Sequence, residues 1–345
     1  MKKTLIITLA SIALVGCSQD ETVATMDRVA IEFDKVFVEN STSSRAATDL
    51  TADNLEGFIV YGSVEKGDQK GNIFNAEEVT GSKAGGYTYS PAQYWIPGAT
   101  YHFTAIAPIE DAKWTYAYKE GTNSQYGTTE AQHGTITFDN EAASAEQDLL
   151  WAYQTEATPT AFTEQPEAVG FAFQHMLSRA KFTFKNGFAE GSNIALKVKD
   201  ITITNAHKVG TITLDGENLP YVWTVAEGTT EAPNTFERNF GHAGTEDNYA
   251  PQASATTDHY YLIPVEEANF EIGFKLDLYQ AGILLQKDIA KTVSVTKLKM
   301  RRGYSYEFKA ELNASNSSDK PLEAIEFKVT GVEGWKEYTE VNANN

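Results

Sequence analysis

Apolar and polar residues alternate at every second position along much of this chain, a pattern that predicts β-strands rather than helices. Clusters of Gly, Asn and Asp separate many of these runs, which is typical of an all-β sandwich. Aromatic residues make up 12% of the chain and favour pleated, half-buried surfaces. The strand-length runs occupy residues 29–38, 101–106, 180–185, 194–203, 304–312 and 324–329.

Two of these runs change phase. In residues 29–38, Val29, Ile31 and Phe33 share one face, and the alternation shifts after Asp34. A similar shift occurs at Asp200. One extra residue in a strand, as in a β-bulge, produces such a shift.

An Asp-Gly pair at 215–216 predicts a hairpin turn between a strand that ends at Leu214 and one that begins near Tyr221. The surrounding residues fall short of a calcium-binding loop pattern.

Residues 154–167 contain two prolines and few apolar residues, and they separate two β-rich halves. The roughly 300 residues that follow the N-terminal segment suffice for two domains of ordinary size. We therefore expect two tandem β-sandwich domains, at residues 46–165 and 166–345.

The first sixteen residues have the pattern of a secretory signal peptide. Lys2 and Lys3 precede an apolar run at 5–15 that is too short to span a bilayer as a mature helix. Residues 14–17 resemble a lipobox, and Cys17 is the only cysteine of the chain. We expect diacylglycerol and a fatty acid on Cys17 and no other cofactor. The alternative is an ordinary signal peptide with an incidental cysteine.

Several acyl chains on one cysteine anchor a protein stably, because each buried methylene contributes ~0.8 kcal/mol. The acidic run at residues 18–21 resembles the surface-export signal of lipoproteins displayed on an outer membrane, and it also fits a solvated tether. The expected location is the outer face of the outer membrane.

The formal charge of −19 becomes −21 once the signal segment, with its two lysines and no acid, is removed. This charge argues against nucleic-acid binding and against a polybasic membrane-surface domain. Copies with this net charge repel one another, which is typical of a soluble surface protein.

The sequence contains no recognisable catalytic motif. The six histidines form no H-E-x-x-H pair, and phosphate loops and Gly-x-Ser-x-Gly elbows are absent. A single cysteine excludes zinc sites that are built from several spaced cysteines. A lone histidine at a strand end, such as His175, is expected to be a packing residue. We therefore expect a protein that is not an enzyme and holds no metal.

Three aromatic clusters could stack on sugar rings or fill the core of a sandwich. They are Tyr94-Trp95, Trp114 with Tyr116 and Tyr118, and Tyr260-Tyr261.

Two longer motifs are more specific. The first is a Tyr-Trp pair at 94–95, a Pro-Gly turn at 97–98 and a strand closed by Pro108. The second is Asp-Leu-Leu-Trp-Ala at 148–152, followed by a strand pair in residues 171–182 that includes His175. Together with Trp335 near the end, these motifs resemble the bacteroidal fimbrillin-like family, the subunits of type V pili and their relatives. Small departures are Ile96 before the proline and an Arg-Ala-Lys at 179–181.

The resemblance implies that both sandwich domains are transthyretin-like. It implies a precursor whose first strand is removed by an Arg-specific protease and replaced by a strand from another subunit. Residues 17–45 would form the lipidated tether and removable strand, with Val29, Ile31 and Phe33 facing inward. Arg45 lies in a small, polar linker and is the candidate cleavage position. The alternative is an uncleaved loop in a lipoprotein that keeps its first strand.

The resemblance also implies a donor strand, for which the candidates lie in residues 324–329 and 335–341. The residues of this region that we single out are Ile325, Phe327, Val329 and Trp335. The expected function is a surface pilus subunit with fimbrillin partners and a role in adhesion to surface glycans or proteins. A glycan-binding lipoprotein of a polysaccharide-uptake system is the alternative.

Overall fold

The computed structural model describes residues 28–38, 50–109, 113–118, 133–143, 147–215, 222–230, 233–245, 247–318, 323–332 and 339–341. The signal peptide and Cys17 lie outside these residues. Across the described ranges, the regular structure consists of strands and one short 3₁₀ helix, Glu190–Ser192, which confirms the all-β prediction. No helix in these ranges has the length and apolar character needed to cross a bilayer.

The strands are numbered in chain order. Those of the N-terminal half are β1 (Phe33–Val38), β2 (Gly57–Lys66), β3 (Gln69–Ser82), β4 (Gly86–Thr88), β5 (Thr100–Ala107), β6 (Trp114–Tyr118), β7 (His133–Asp139), β8 (Leu150–Ala157) and β9 (Val169–His175). Those of the C-terminal half are β10 (Ser178–Asn186), β11 (Ile194–His207), β12 (Val209–Asp215), β13 (Trp223–Val225), β14 (Thr235–Gly241), β15 (Ser254–Thr256), β16 (Tyr260–Leu262), β17 (Ala268–Gln280), β18 (Ile283–Leu298), β19 (Ser305–Leu312), β20 (Lys328–Val332) and β21 (Thr339–Val341).

Seven N-terminal strands form a closed barrel in the order β1-β4-β3-β2-β5-β8-β9. The barrel closes where β1 pairs in parallel with β9. Every one of the seven strands contributes at least one buried apolar side chain to a single core. Because β1 is both the first strand and the closing strand, the sheet would have two open edges without it.

The C-terminal half packs two sheets face to face. One has the order β15-β10-β19-β20-β21, with β16 also paired to β10, and the other has the order β14-β11-β17-β18. A shared core of buried side chains, including Phe182, Phe274 and Phe308, joins them. Their inward faces follow the alternation that the sequence displays in residues 180–185 and 194–203.

A further sheet, in the order β13-β12-β7-β6, joins strands from both halves. It packs on the outer surface of the barrel through a core that includes Ile106, Trp151, Ile212 and Trp223. Strand β9 belongs to the barrel although it follows residue 165. Strand β9 therefore lies on the N-terminal side of the junction. The domain boundary at 165/166 stays a prediction.

Local sequence signals agree closely with the strand irregularities. Pairing of β1 with β9 changes register between Phe33 and Lys35, on either side of the shift predicted after Asp34. Pairing of β11 with β17 changes register between Lys199 and Thr202, and Asp200 has a positive φ of 49°. The C-terminal run differs from the prediction, because β20 begins at Lys328 and residues 324–327 are not in a strand.

The predicted hairpin of β12 and β13 is present as an antiparallel pair in which Ile212 is opposite Trp223. That register leaves a connection longer than a two-residue turn, and residues 216–221 lie outside the described ranges.

The direction of the strands defines the junction between the halves and the outer end of each half. Strand β9 ends and β10 begins at the junction, where the amide of Met176 donates to Leu149 O (2.8 Å) and that of Gly303 to Leu177 O (2.7 Å). Strand β5 begins at the far end of the barrel, which we call the barrel pole. Strands β10 and β19 end, and the β17–β18 hairpin turns, at the end of the C-terminal half that lies away from the junction, which we call the hairpin pole.

Candidate functional site

The N-terminal segment, residues 28–38, lies along the barrel and is bonded to the main chain on both sides. On one side, the amide of Ile31 donates to Gln93 O and that of Trp95 donates to Val29 O, both at 2.9 Å. The Tyr89 hydroxyl adds a 2.8 Å hydrogen bond to Ile31 O. The segment therefore satisfies its backbone groups in the manner of an inserted strand.

On the other side, β1 runs parallel to β9. The pairs extend from Phe33 opposite Val169 to Val38 opposite Phe173, and the amide of Val169 donates to Glu32 O at 2.7 Å. A parallel pair of this kind joins residues more than 130 positions apart, so β1 is held by the fold and not by its sequence neighbours.

The inward face of the segment is fully buried. Val29, Ile31 and Phe33 are each 1% exposed, and Val36 and Val38 continue the same face after the register shift. The Phe33 ring lies 5.5–6.2 Å from five other rings, those of Phe58, Phe74, Tyr89, Phe103 and Phe171. Each such side chain contributes about 1.5–3 kcal/mol through burial, so removal of the segment would leave a deep apolar groove.

The outward face of the segment is exposed and weakly held. Phe37 is 62% exposed, and the Lys35 Nζ lies 2.5 Å from the Glu167 carboxylate. The hydrogen bond between these two side chains raises the pKa of Lys35 and lowers the pKa of Glu167. Exposed ion pairs contribute little to stability, so the apolar inward face holds the segment in place.

The predicted cleavage residue Arg45 and the lipidation residue Cys17 lie outside the described residues. Arg45 belongs to the eleven residues, 39–49, that connect Val38 to Leu50. Leu50 packs against the barrel core, so this connection leads from the closing strand to the body of the barrel.

At the other terminus, the candidate donor residues are built into the C-terminal core. Phe327 is 8% exposed and Val329 is 2% exposed, and Ile325 packs partly buried against the same core. Trp335 lies outside the described residues. The Phe327 ring packs against four others, those of Phe182, Phe184, Phe274 and Phe308.

Among the described strands, β21 is paired along one edge. Strand β20 pairs with β19 through the five positions from Lys328 to Val332, and β21 pairs with β20 alone, at Val329, Thr330 and Gly331. Strand β21 is therefore the edge of its sheet as far as the structure describes it, and its departure disrupts no other pair of described strands.

The aromatic clusters do not present adjacent exposed rings in the described residues. Trp95 is 6% exposed and Tyr261 is 1% exposed, so both fill the core. Tyr94 is 43% exposed, with the Arg28 guanidinium 5.8 Å from its ring centroid. Trp114, Tyr116 and Tyr260 are half-buried, and the side chain of Tyr118 lies outside the described set.

Sequence reasoning missed several residues of the groove. Val36 and Val38 could have been found by continuing the alternation beyond the shift at Asp34. Tyr89 and Gln93, which bind the segment across the groove, carry no local signal because they meet it only in the folded barrel. Within the described ranges, no group of three or more His, Cys, Asp or Glu side chains could hold a metal ion.

Comparisons with a family profile and with solved structures cover most of the chain. A sequence profile described as fimbrillin-like matches residues 44–335. A crystal structure of a fimbrial protein from Bacteroides vulgatus is 18% identical, has a TM-score of 0.59, and is matched over 90% of this chain and 100% of that chain. Candidate cell adhesion proteins from Bacteroides uniformis and Bacteroides ovatus are 17% and 13% identical, each with a TM-score of 0.46. They are matched over 90% and 91% of this chain and 98% and 99% of their own.

No curated protein matches the sequence significantly. At 18% identity, the likeness to the Bacteroides vulgatus protein establishes a shared fold. The sequence profile covers most of the chain, including the motifs at 94–108 and 148–182. The chain therefore belongs to the fimbrillin-like family, whose members are structural and not enzymatic.

Proposed function

We propose that this protein is a lipid-anchored precursor of a fimbrial subunit, and that subunits assemble by strand exchange. The observation that carries the proposal is the position of residues 28–38, whose inward face is buried in the barrel core. The same segment follows Cys17 and precedes Arg45, so one cut after Arg45 would separate both the anchor and the strand from the rest. Other fimbrillin subunits are the proposed partners, and the outer membrane is the proposed site of anchoring.

Removal of the segment would expose two kinds of unsatisfied surface. The groove lined by Phe58, Phe103 and Phe171 would lose its apolar filling, and Gln93 O and the Trp95 amide would lose their partners. An added strand satisfies both at once, because main-chain bonds supply affinity and alternate side chains fill the pockets. Exchange is nearly balanced for strands of equal quality, so the cut matters because it removes the intramolecular competitor.

We assign the donor to the C-terminal region that contains Ile325, Phe327, Val329 and Trp335. Withdrawal of Phe327 from its four ring partners would be costly, whereas β21 gives up pairing with a single strand. Donation therefore starts from the chain terminus, and the part beyond β20 is the part most readily released.

The test is treatment of the purified precursor with an Arg-specific protease. The wild-type protein should be cut so that its new first residue is Ala46, and it should then form polymers visible by size-exclusion chromatography. An Arg45→Ala variant should remain uncut there and monomeric. Arg28→Ala is the matched control, because Arg28 is exposed and lies in the same removable segment.

Two results would contradict the proposal. The first is release of residues 17–45 without any polymer at high protein concentration. The second is equal polymer formation by the Arg45→Ala variant, which would mean that the first strand need not leave.

A further inference from the structure

A polar groove lies on the outer face of the C-terminal sheet that contains β10 and β19. Its volume is about 790 Å³, and its lining comes from β10, β15, β19 and residues 313–316 and 323–328. Clefts of roughly 300–1,000 Å³ are the size class that holds small ligands. All of these lining elements belong to the C-terminal half, so the groove is separate from the site in the barrel that holds residues 28–38.

The floor of the groove carries paired charges from neighbouring strands. Lys185 lies opposite Glu311 in the parallel pair of β10 and β19, and the Lys185 Nζ is 3.2 Å from the Glu311 carboxylate. The Lys309 Nζ is likewise 3.2 Å from the Glu307 carboxylate, which also accepts from the Thr183 hydroxyl at 2.6 Å. An ammonium has three donors and a carboxylate has about four lone-pair sites. Each pair is therefore held in place and keeps bonding capacity for a ligand.

One wall of the groove is the stretch that leads into β20, residues 323–328. Phe327 is buried in the core, so the residues on either side of it, Glu326 and Lys328, point outwards and are exposed. This wall precedes β20 along the chain. Release of β21 in the proposed strand exchange would therefore leave it in place.

The turn after β19 forms one end of the groove and joins the floor to the wall. Asn316 is buried there, where its Oδ1 accepts from the Asn313 amide at 2.9 Å and its Nδ2 donates to Glu311 O at 3.0 Å. The Glu323 amide donates to Ser315 O at 3.2 Å, which ties the wall to the turn. Because the groove is already ordered, binding requires little further loss of conformational entropy from the protein.

The charges that line the groove nearly cancel. Three lysines and four glutamates contribute, namely Lys185, Lys309, Lys328, Glu307, Glu311, Glu323 and Glu326. The balance gives no strong attraction to a highly charged ligand, and the net charge of −19 on the whole chain repels anions. Among the described residues, the lining includes no aromatic ring that could stack on a ligand. The groove therefore fits an uncharged molecule with many groups that both donate and accept hydrogen bonds.

We propose that this groove binds a neutral oligosaccharide. A sugar hydroxyl donates one hydrogen bond and accepts up to two, so adjacent hydroxyls match a lysine and a glutamate of one pair. Hydrogen bonds to ionised groups are stronger than those between neutral groups. From Glu307 to Glu311 the floor extends for about 13 Å along β19, which suits several linked sugar rings better than one.

The inference goes beyond the proposed assembly and does not depend on it. Without ring stacking, the expected affinity is about millimolar. Many copies of the groove along a polymer would raise the avidity of such a weak site.

A peptide strand is a less suitable ligand for this groove. Strand addition needs a free sheet edge, because main-chain hydrogen bonds supply its affinity. The floor is instead the face of β19, whose edges are both paired, one with β10 and the other with β20.

Saturation-transfer NMR on the purified, uncut precursor tests the site. The probes are lactose, maltose and cellobiose, with 3′-sialyllactose as the charged comparison, and at least one neutral disaccharide should bind. Combining Lys185→Ala with Glu311→Ala should weaken its Kd at least about tenfold, since two charged bonding groups are lost. The matched control combines Lys83→Ala with Asp53→Ala, which removes an exposed ion pair outside the groove and should change Kd less than about twofold.

A second variant, Ala324→Trp, blocks the groove without removing a polar group. Ala324 is an exposed residue of the wall, so the variant should keep its urea unfolding midpoint and lose saccharide binding.

Three results would overturn the inference. They are the absence of binding by every neutral disaccharide, binding of 3′-sialyllactose alone, and equal binding by wild type and both groove variants. Each of them leaves strand exchange standing, because the uncut precursor has not assembled.

Discussion

Asp148 and His175 form a hydrogen bond in the interior, with His175 Nδ1 2.7 Å from Asp148 Oδ2. Their side chains are 0% and 3% exposed. The other carboxylate oxygen, Oδ1, accepts from the Leu149 amide at 2.8 Å. A carboxylate only accepts, so Nδ1 is the donor. The pair joins the residues before β8 to the end of β9, where the barrel meets the C-terminal sheets.

Substitution of this pair should weaken the junction. His175→Ala leaves the Asp148 carboxylate without its side-chain donor in the interior, and we expect a loss of about 1–3 kcal/mol in the free energy of unfolding. Asp148→Asn keeps an oxygen that can accept from Leu149 and should cost less than Asp148→Ala. Urea unfolding followed by tryptophan fluorescence measures the differences. Equal midpoints for wild type and His175→Ala would mean that the bond contributes nothing.

The two faces of β1 provide a matched pair of substitutions. Phe33→Ala empties a site surrounded by five rings and should cost the precursor about 3–5 kcal/mol. Phe37→Ala removes a ring that is 62% exposed and should change stability by no more than about 0.5 kcal/mol. Urea unfolding of the uncut precursor is the measurement.

The same two variants report on strand removal. Once each protein has been cut after Arg45 and separated from the released segment, wild type, Phe33→Ala and Phe37→Ala should have identical sequences and identical unfolding midpoints. A Phe33→Ala protein that still differs after this treatment would show that the segment had stayed bound.

Local pattern was enough to predict strands and their irregularities, because alternation reports which face each side chain occupies. Asp34 and Asp200 are examples, since the structure changes register beside both. Local pattern did not predict which strands pair with each other. The parallel pairing of Phe33 with Val169, and the sheet that combines β7 with β12, depend on contacts between distant residues.

The residues of the candidate site were likewise predictable only in part. Burial of Val29, Ile31 and Phe33 follows from their shared face, whereas the residues that receive them, such as Tyr89, are set by the closed barrel. Phe327 is not part of a free donor strand, because the fold buries its ring in the C-terminal core of the same chain.

Lipidation of Cys17 predicts a clear localisation phenotype. A Cys17→Ser precursor lacks the only thiol that can receive lipid, so it should leave the membrane fraction or fail to mature. Metabolic labelling with an alkyne fatty acid, followed by gel fluorescence, should mark wild type alone. Label that survives in Cys17→Ser would exclude Cys17 as the acylation site. Arg45→Ala is a suitable control, because it keeps the thiol and should be labelled.

Truncation after Val332 tests the donor region from the other side of the exchange. The truncated protein lacks β21 and Trp335 but keeps β20, Phe327 and Val329 in its own core, so its cut form should remain folded. It still has the groove but lacks the readily released part of the donor region, and alone it should stay monomeric. Mixed with cut wild-type protein, it should accept one donor and end the growing chain, so that mean polymer length falls as its fraction rises. Size-exclusion chromatography with light scattering measures this length. Polymers of wild-type length in the mixture, or polymers formed by the truncated protein alone, would place the donor strand before residue 333.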